Sequence, residues 1–205
     1  MGVYREHLLP RVQNKVMDRK DLREVRARVC SALAGDVVEV GFGTGLNAPH
    51  YPDDVHRIAA VEPSRLCMRI AEPRIAATST KVELAGLTGE NLDLPSGEFD
   101  AALSTWTLCT IPDLDAALVE IRRVLKPGGR FHFVEHGGAP DAGVARWQAR
   151  IEPPWKKVAG GCHVTRDIST LVQKAGFSID NVQTYYMEGE PKVFGFTFEG
   201  VAIKI

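Results

Sequence analysis

The chain has 205 residues, and 25 Lys and Arg against 26 Asp and Glu give a formal net charge of −1. That length suits one domain over residues 1–205, and the even charge argues against nucleic-acid binding by bulk electrostatics. Hydrophobic residues make up 44%, enough for a sizeable core, yet no apolar run approaches the roughly 20 residues that a spanning helix needs.

No basic and apolar leader opens the chain, and the myristoylation pattern beginning at Gly2 fails at Glu6. Cys30, Cys67, Cys109 and Cys162 are widely spaced, with no Cys-x-x-Cys pair. Cys162 and His163 are adjacent, a poor chelating arrangement. These features predict a cytoplasmic chain with reduced thiols, no disulfide framework and no metal site.

Leu8, Leu9, Val12 and Val16, interleaved with Arg11, Lys15 and Arg19, predict an amphipathic lid within residues 1–20, its regularity limited by Pro10. The same thin apolar face would suit a peripheral contact with a membrane surface. A helix then runs from Asp21 through Leu22, Val25, Val29 and Leu33 and stops at Gly35. Val37 to Val40 reads as a strand, Arg57 to Val61 as a second, Ser64 to Ala77 as a helix, Lys81 to Leu84 as a third strand and Asp100 to Ser104 as a fourth. A helix begins at Asp113 and ends at Lys126-Pro127-Gly128-Gly129, and Arg130 to Glu135 is a fifth strand. Residues 137–165, with Trp147, Trp155 and Gly160-Gly161, form an insert of the length that usually serves binding. Thr165 predicts the N-cap of a helix carrying Ile168, Leu171, Val172 and Ala175 and closed by Gly176. Strands near Ser178 to Tyr185 and Val193 to Ile203 follow. Strands alternating with helices predict an α/β domain around parallel strands.

The strongest chemical signal is the passage from Val37-Val38-Glu39-Val40 into Gly41-Phe42-Gly43-Thr44-Gly45, and then into a helix opened by Leu46 and Asn47. Glycines at the carboxyl end of a strand let a ligand approach the backbone where a Cβ would block it. In the dinucleotide fingerprint the third glycine comes one position later. Glu39 would also repel a diphosphate, whereas it could accept from a ligand ammonium. A cationic ligand with an amino-acid tail fits better, which disfavours a nicotinamide-dependent dehydrogenase. Glu62 ends the second strand about 20 residues on, the place for an acid that holds both hydroxyls of a ribose.

This run resembles motif I of the class I S-adenosylmethionine-dependent methyltransferases, and Glu62-Pro63 is similar to their acidic motif II. Gly89-Glu90-Asn91-Leu92 with Asp93-Leu94-Pro95 looks like the adenine-side loop. Phe99-Asp100-Ala101-Ala102 and Leu125-Lys126-Pro127-Gly128-Gly129-Arg130 look like the fourth strand and the loop into the fifth. The likeness covers roughly residues 35 to 135 and is nearest to the type-11 branch, which includes quinone C-methyltransferases and bacterial phospholipid N-methyltransferases. A narrower likeness extends to about residue 175. Gly43-Thr44-Gly45-Leu46-Asn47, Tyr51-Pro52, Leu108-Cys109, Glu135-His136, Glu152-Pro153, Trp155-Lys156, Gly161-Cys162 and Thr165-Arg166 are similar to the mammalian membrane-associated alkyl-thiol S-methyltransferases. Their hydrophobic N-terminal anchor has no counterpart here, so attachment by that route is not expected.

The resemblance implies a Rossmann-like sheet of seven mostly parallel strands, the last antiparallel, with helices on both faces. It implies S-adenosylmethionine as cofactor and S-adenosylhomocysteine as product. Glu39, Gly41, Gly43, Thr44, Gly45 and Asn47 would hold the methionine end, Glu62 and Pro63 the ribose. Gly89, Glu90 and Asn91 would meet the adenine, through backbone because Thr88 stands where the family often has an acid. Thr105 and Leu108 would line the sulfonium.

For the acceptor, His136 follows a buried strand and precedes Gly137-Gly138, so it is expected to open into the crevice as a base or as an orienting group. Cys162 and His163 follow a flexible Gly160-Gly161 pair that could close over the acceptor, and Cys109 reads as a small pocket-lining residue. The predicted acceptor is small or lipophilic, a thiol sulfur first, then a phospholipid headgroup amine, a quinol carbon or a phenol oxygen. Ser104-Thr105-Trp106-Thr107 stands where nucleobase-amine enzymes carry Asn-Pro-Pro-Tyr, which argues further against nucleic acid.

Overall fold

The structure, a computed structural model, describes residues 4–205; the first three residues, with Gly2 and the start of the 1–20 lid, lie outside the described residues. β1 (Gly35–Val40) buries Val37, Val38, Glu39 and Val40 in succession. Such a run requires cover on both faces of the sheet, because alternate side chains point to opposite sides. Val38 and Val40 enter the core made by α4 (Leu114–Val124) and α6 (Ile168–Lys174), while Val37 enters the one made by α2 (Lys20–Cys30) and α3 (Arg65–Ala77).

Seven strands form one sheet. The others are β2 (Val55–Val61), β3 (Lys81–Gly86), β4 (Phe99–Thr105), β5 (Leu125–His136), β6 (Phe177–Tyr186) and β7 (Phe196–Lys204), in the order β3-β2-β1-β4-β5-β7-β6. β1 pairs in parallel with β2 and β4, and β7 runs antiparallel to both β5 and β6. This is the Rossmann-like sheet with an antiparallel last strand. The strand order reverses between β1 and β4, and a crevice opens at their carboxyl ends, the usual ligand position in such a sheet.

Several local expectations are revised. No helix opens at Leu46 and Asn47; a single 3₁₀ turn, Ala48–His50, contains Pro49 and is followed by Pro52, which restrict the backbone around them. Thr165 is not the N-cap of α6; Asp167 is, its side chain accepting from Thr170 N at 3.1 Å. The last strand begins at Phe196, after a helical turn α7 (Lys192–Gly195). Residues Tyr4–Leu8 form a π-helical segment that passes at Leu9 into α1 (Leu9–Val16), with Pro10 in its first turn, so the lid element is helical but changes its winding beside the proline, as expected. α5 (Ala142–Val158) occupies most of 137–165, with Trp147 exposed and Trp155 packed on Phe194 at 4.2 Å between ring centres. No helix among the described residues is long and apolar enough to cross a membrane.

Candidate active site

A cleft of about 860 Å³ lies at the carboxyl ends of β1, β2 and β4, roofed by α1; that is within the usual size of a small-molecule site. Gly41 has φ +81, and a Cβ on it would sit 2.0 Å from Thr107 Oγ1. The loop after β1 therefore passes directly against the exit of β4. Glu62, at the tip of β2, accepts from Gly43 N at 2.8 Å and from Ser64 N at 2.7 Å. Burial pushes its pKa up. Each oxygen keeps a further lone pair for a ligand hydroxyl on the side that lines the cleft.

Behind the glycine loop is a buried polar layer. Glu39 is fully buried; Asn47 Nδ2 donates to its Oε1 at 2.9 Å and Tyr51 OH to its Oε2 at 2.5 Å. Burial lifts its pKa to about 7. Asn47 Nδ2 also donates to Thr105 Oγ1 at 3.0 Å. Arg26, from α2, donates through Nη1 to Asn47 Oδ1 at 2.8 Å and to Thr105 Oγ1 at 2.7 Å, and its guanidinium lies 4.8 Å from the Trp106 ring centre. Its Nε is buried without a partner among the described residues, yet the side chain lines the cleft. A guanidinium N–H left without a partner at the edge of a cleft is costly, and a small shift of the side chain would let it donate to a ligand carboxylate. Sequence reasoning missed Arg26. The signal was there, because a charge sits inside the apolar row Leu22, Val25 and Val29.

The loop beyond β4 forms the opposite wall. Trp106 adopts φ +51, a left-handed backbone rare for a bulky side chain, and its N–H donates to Val134 O at 2.8 Å. Glu135 is fully buried beneath the loop. Its Oε1 accepts from Ser104 Oγ, Thr107 N and Leu108 N at 2.9–3.0 Å, and its Oε2 from Cys109 N at 3.3 Å. Burial raises it to about 7. Just past the insert, Arg166 donates to Leu108 O and, at 2.8 Å, to Ile111 O. Glu152 receives Thr165 N at 3.0 Å and pairs with His163 Nδ1 at 3.1 Å.

Of the residues expected at the cofactor, Gly41, Gly43, Thr44, Glu62, Pro63, Gly89, Glu90 and Thr105 line the cleft. Glu39 and Asn47 lie one layer behind it, Gly45 packs toward Ala71 of α3, Leu108 is in the core and Asn91 is exposed. Among the expected acceptor residues, His136, Cys162 and His163 stand outside the lining of the described cleft. His136 is held behind Trp106, 6.4 Å between ring centres, and burial lowers its pKa to about 4. Cys162 packs with Cys109 and Val164. The lining instead includes Trp106, Thr107 and Thr110 together with Leu9, Gln13 and Met17. No three metal-ligating side chains converge among the described residues.

The pattern of a methyltransferase domain matches residues 38–133. The human thiol S-methyltransferase TMT1B is 32% identical over 181 residues, covering 83% of this chain and 72% of that protein. The chain belongs to the class I S-adenosylmethionine-dependent methyltransferases, type-11 branch. The rat counterpart is 34% identical over 149 residues, or 69% of this methyltransferase chain. The chain spans 59% of that relative's length. A crystal structure of a methyltransferase from Thermotoga maritima superposes over 98% of this chain and 100% of that one, with a TM-score of 0.68 at 23% identity. That likeness is one of fold.

Proposed function

We propose that this methyltransferase moves the methyl group of S-adenosylmethionine to the sulfur of a small, largely apolar thiol. The observation that carries the cofactor half is the buried, unpartnered Arg26 Nε beside the Gly41 loop, with Glu62 across the cleft. Arg26 then binds the carboxylate of the methionine moiety, Glu62 the ribose hydroxyls, and the Thr88–Glu90 segment the adenine. Glu39 is a positioning residue that acts through Asn47 and Tyr51. When bound, the cofactor supplies an electrophilic methyl on a sulfonium, so the protein's task is alignment and exclusion of water.

The acceptor side is walled by Trp106, Leu9, Pro10 and Met17. Such a wall suits an apolar thiol, whose thiolate is nucleophilic without a covalent partner. The similarity to thiol S-methyltransferases over 83% of the chain supports the same acceptor. His136, neutral at pH 7 because burial lowers its pKa, props the Trp106 ring. Cys162 and His163 hold the Gly160–Val164 segment in place through Cys109 and Glu152. The domain reading follows the same division: residues 4–19 roof the cleft, and the 137–165 insert braces its acceptor wall.

The test is S-adenosylhomocysteine release by purified protein with S-adenosylmethionine and, in turn, a small alkyl thiol, phosphatidylethanolamine liposomes and a reduced quinone. Turnover on the thiol alone is expected. Turnover on lipid or quinol without thiol overturns the acceptor, and no measurable cofactor binding overturns the activity itself.

A further inference from the structure

Two buried thiols meet where the walls of the cleft are joined. Cys109, on the loop after β4, and Cys162, beyond Gly160-Gly161, are 1% and 6% exposed and share an apolar cluster with Val164, edged by Trp155 and Phe194. Their side chains pack together, and each shifts the acidity of the other. His163 N donates to Cys109 O at 2.8 Å. That bond draws the two backbones together, and a disulfide requires Cα atoms roughly 4.4–6.8 Å apart. Each cysteine adjoins the cleft, since Thr110 and Ile111 follow Cys109 and Gly160 lies two residues before Cys162, all three in the lining. Gly160 and Gly161 have φ of +69 and +102, a backbone path that glycine follows readily and that carries the chain from the end of α5 past Thr110 to Cys162.

We propose that Cys109 and Cys162 form a reversible redox site, closed to a disulfide by exchange with a low-molecular-weight disulfide, which staples the loop after β4 to the Gly160–Val164 segment. Cys162 is the attacking sulfur, because the neighbouring Cys109 lowers its pKa, while Cys162 and burial raise that of Cys109. The Cys162 thiolate attacks one sulfur of the small disulfide, whose S–S bond breaks and releases a thiolate that takes up the proton Cys162 gave up. The Cys109 sulfur then attacks the Cys162 sulfur of the mixed disulfide, whose bond to the small thiol breaks, and the expelled thiolate takes up the proton Cys109 gives up. The protein loses two protons and two electrons, and the small disulfide gains both as two thiols. The site does not depend on the acceptor of the methyl group.

The test begins with the fully reduced chain and oxidised glutathione, followed by alkylation of free thiols, tryptic digestion and mass mapping. A linked pair of peptides carrying Cys109 and Cys162 is expected, reversed by dithiothreitol and absent from Cys109→Ala and Cys162→Ser. Amide hydrogen exchange over residues 107–112 and 158–164 should slow at least tenfold in the oxidised form. Glutathione retained as a mixed disulfide, oxidation confined to Cys30 and Cys67, or a link that leaves exchange unchanged would each overturn the proposal. The map of the unsubstituted chain is decisive by itself if a substitution disturbs folding.

Discussion

The side of the cleft proposed for the cofactor is built mainly between Val37 and Glu62, from one strand, one loop and the next strand, to which α2 adds Arg26 and the segment after β3 adds Gly89 and Glu90. The acceptor side draws instead on α1, the loop after β4 and the Gly160–Val164 segment, which meet only in the folded chain. On the first side the polar groups sit on backbone held by the sheet ladder. On the second they depend on long-range ties such as Arg166 to Ile111 O and Glu152 to Thr165. The difference predicts that damage to the first side abolishes binding of the cofactor, whereas damage to the second retunes the acceptor.

The largest effect is expected for Gly41→Ala. The added methyl meets Thr107 Oγ1 at 2.0 Å in a left-handed backbone, and strain of about 1–3 kcal/mol adds to that clash. Calorimetric affinity for S-adenosylhomocysteine should fall at least about 100-fold; an affinity within threefold of the parent would break the contrast. Arg26→Met follows. Loss of charge-assisted bonds worth about 1.5–3 kcal/mol should weaken cofactor binding by roughly 10- to 100-fold, with Arg26→Lys recovering part of it. A variant that melts earlier but binds as before would make Arg26 purely structural.

Glu135 sharpens the comparison from the acceptor side. Its folded pKa of about 7 lies above the ordinary 4.5, so the folded chain holds this proton more tightly. That contribution, on the order of 3 kcal/mol, is complete below about pH 4.5 and lost as the pH rises through about 7. In Glu135→Gln it is absent, so the Tm difference between variant and parent should move in the variant's favour from about pH 5 to pH 8. Glu39, lifted to about 7, and His132 and His136, lowered to about 4, titrate in both proteins and cancel. A pH-independent difference would mean that Glu135 is ionised throughout. The smallest effect is that of Leu9→Ala in the roof. Acceptor KM should rise about three- to tenfold in steady-state kinetics while cofactor affinity stays within twofold, since the lost packing lies over Gly160 rather than over Glu62.

The same contrast governs what could be read before the fold was known. Gly41, Gly43, Glu62 and the strands that carry them are close in sequence, and the physics that selects them, backbone approach and a strand-end acid, is local. Glu39 was expected to meet a ligand ammonium. Whether its oxygens stay free depends on Asn47 and Tyr51, whose positions follow from a 3₁₀ turn that stands where a helix was expected. The expectation that His136 opens into the crevice rested on its place at the end of β5. The ring instead stands beside Trp106, in a backbone state that no local pattern announces, and reaches the backbone of Phe194 in α7. Arg26 shows the reverse case, a residue whose burial was legible from helical spacing but whose partners, Asn47 and Thr105, were not.

The place of β7 bears on how the chain is made. β7 lies between β5 and β6 although it follows both in sequence. During synthesis from the N-terminus, β5 therefore keeps an unpaired edge, and β6 has no neighbour, until residues 196–204 leave the ribosome. Phe131 and Phe133 on that waiting strand are fully buried in the finished molecule, in a core to which Phe198 and Ala202 of β7 contribute. A nascent chain stalled before Phe196 would present an apolar, open-edged strand, the kind of surface that chaperones bind and that aggregates when they do not.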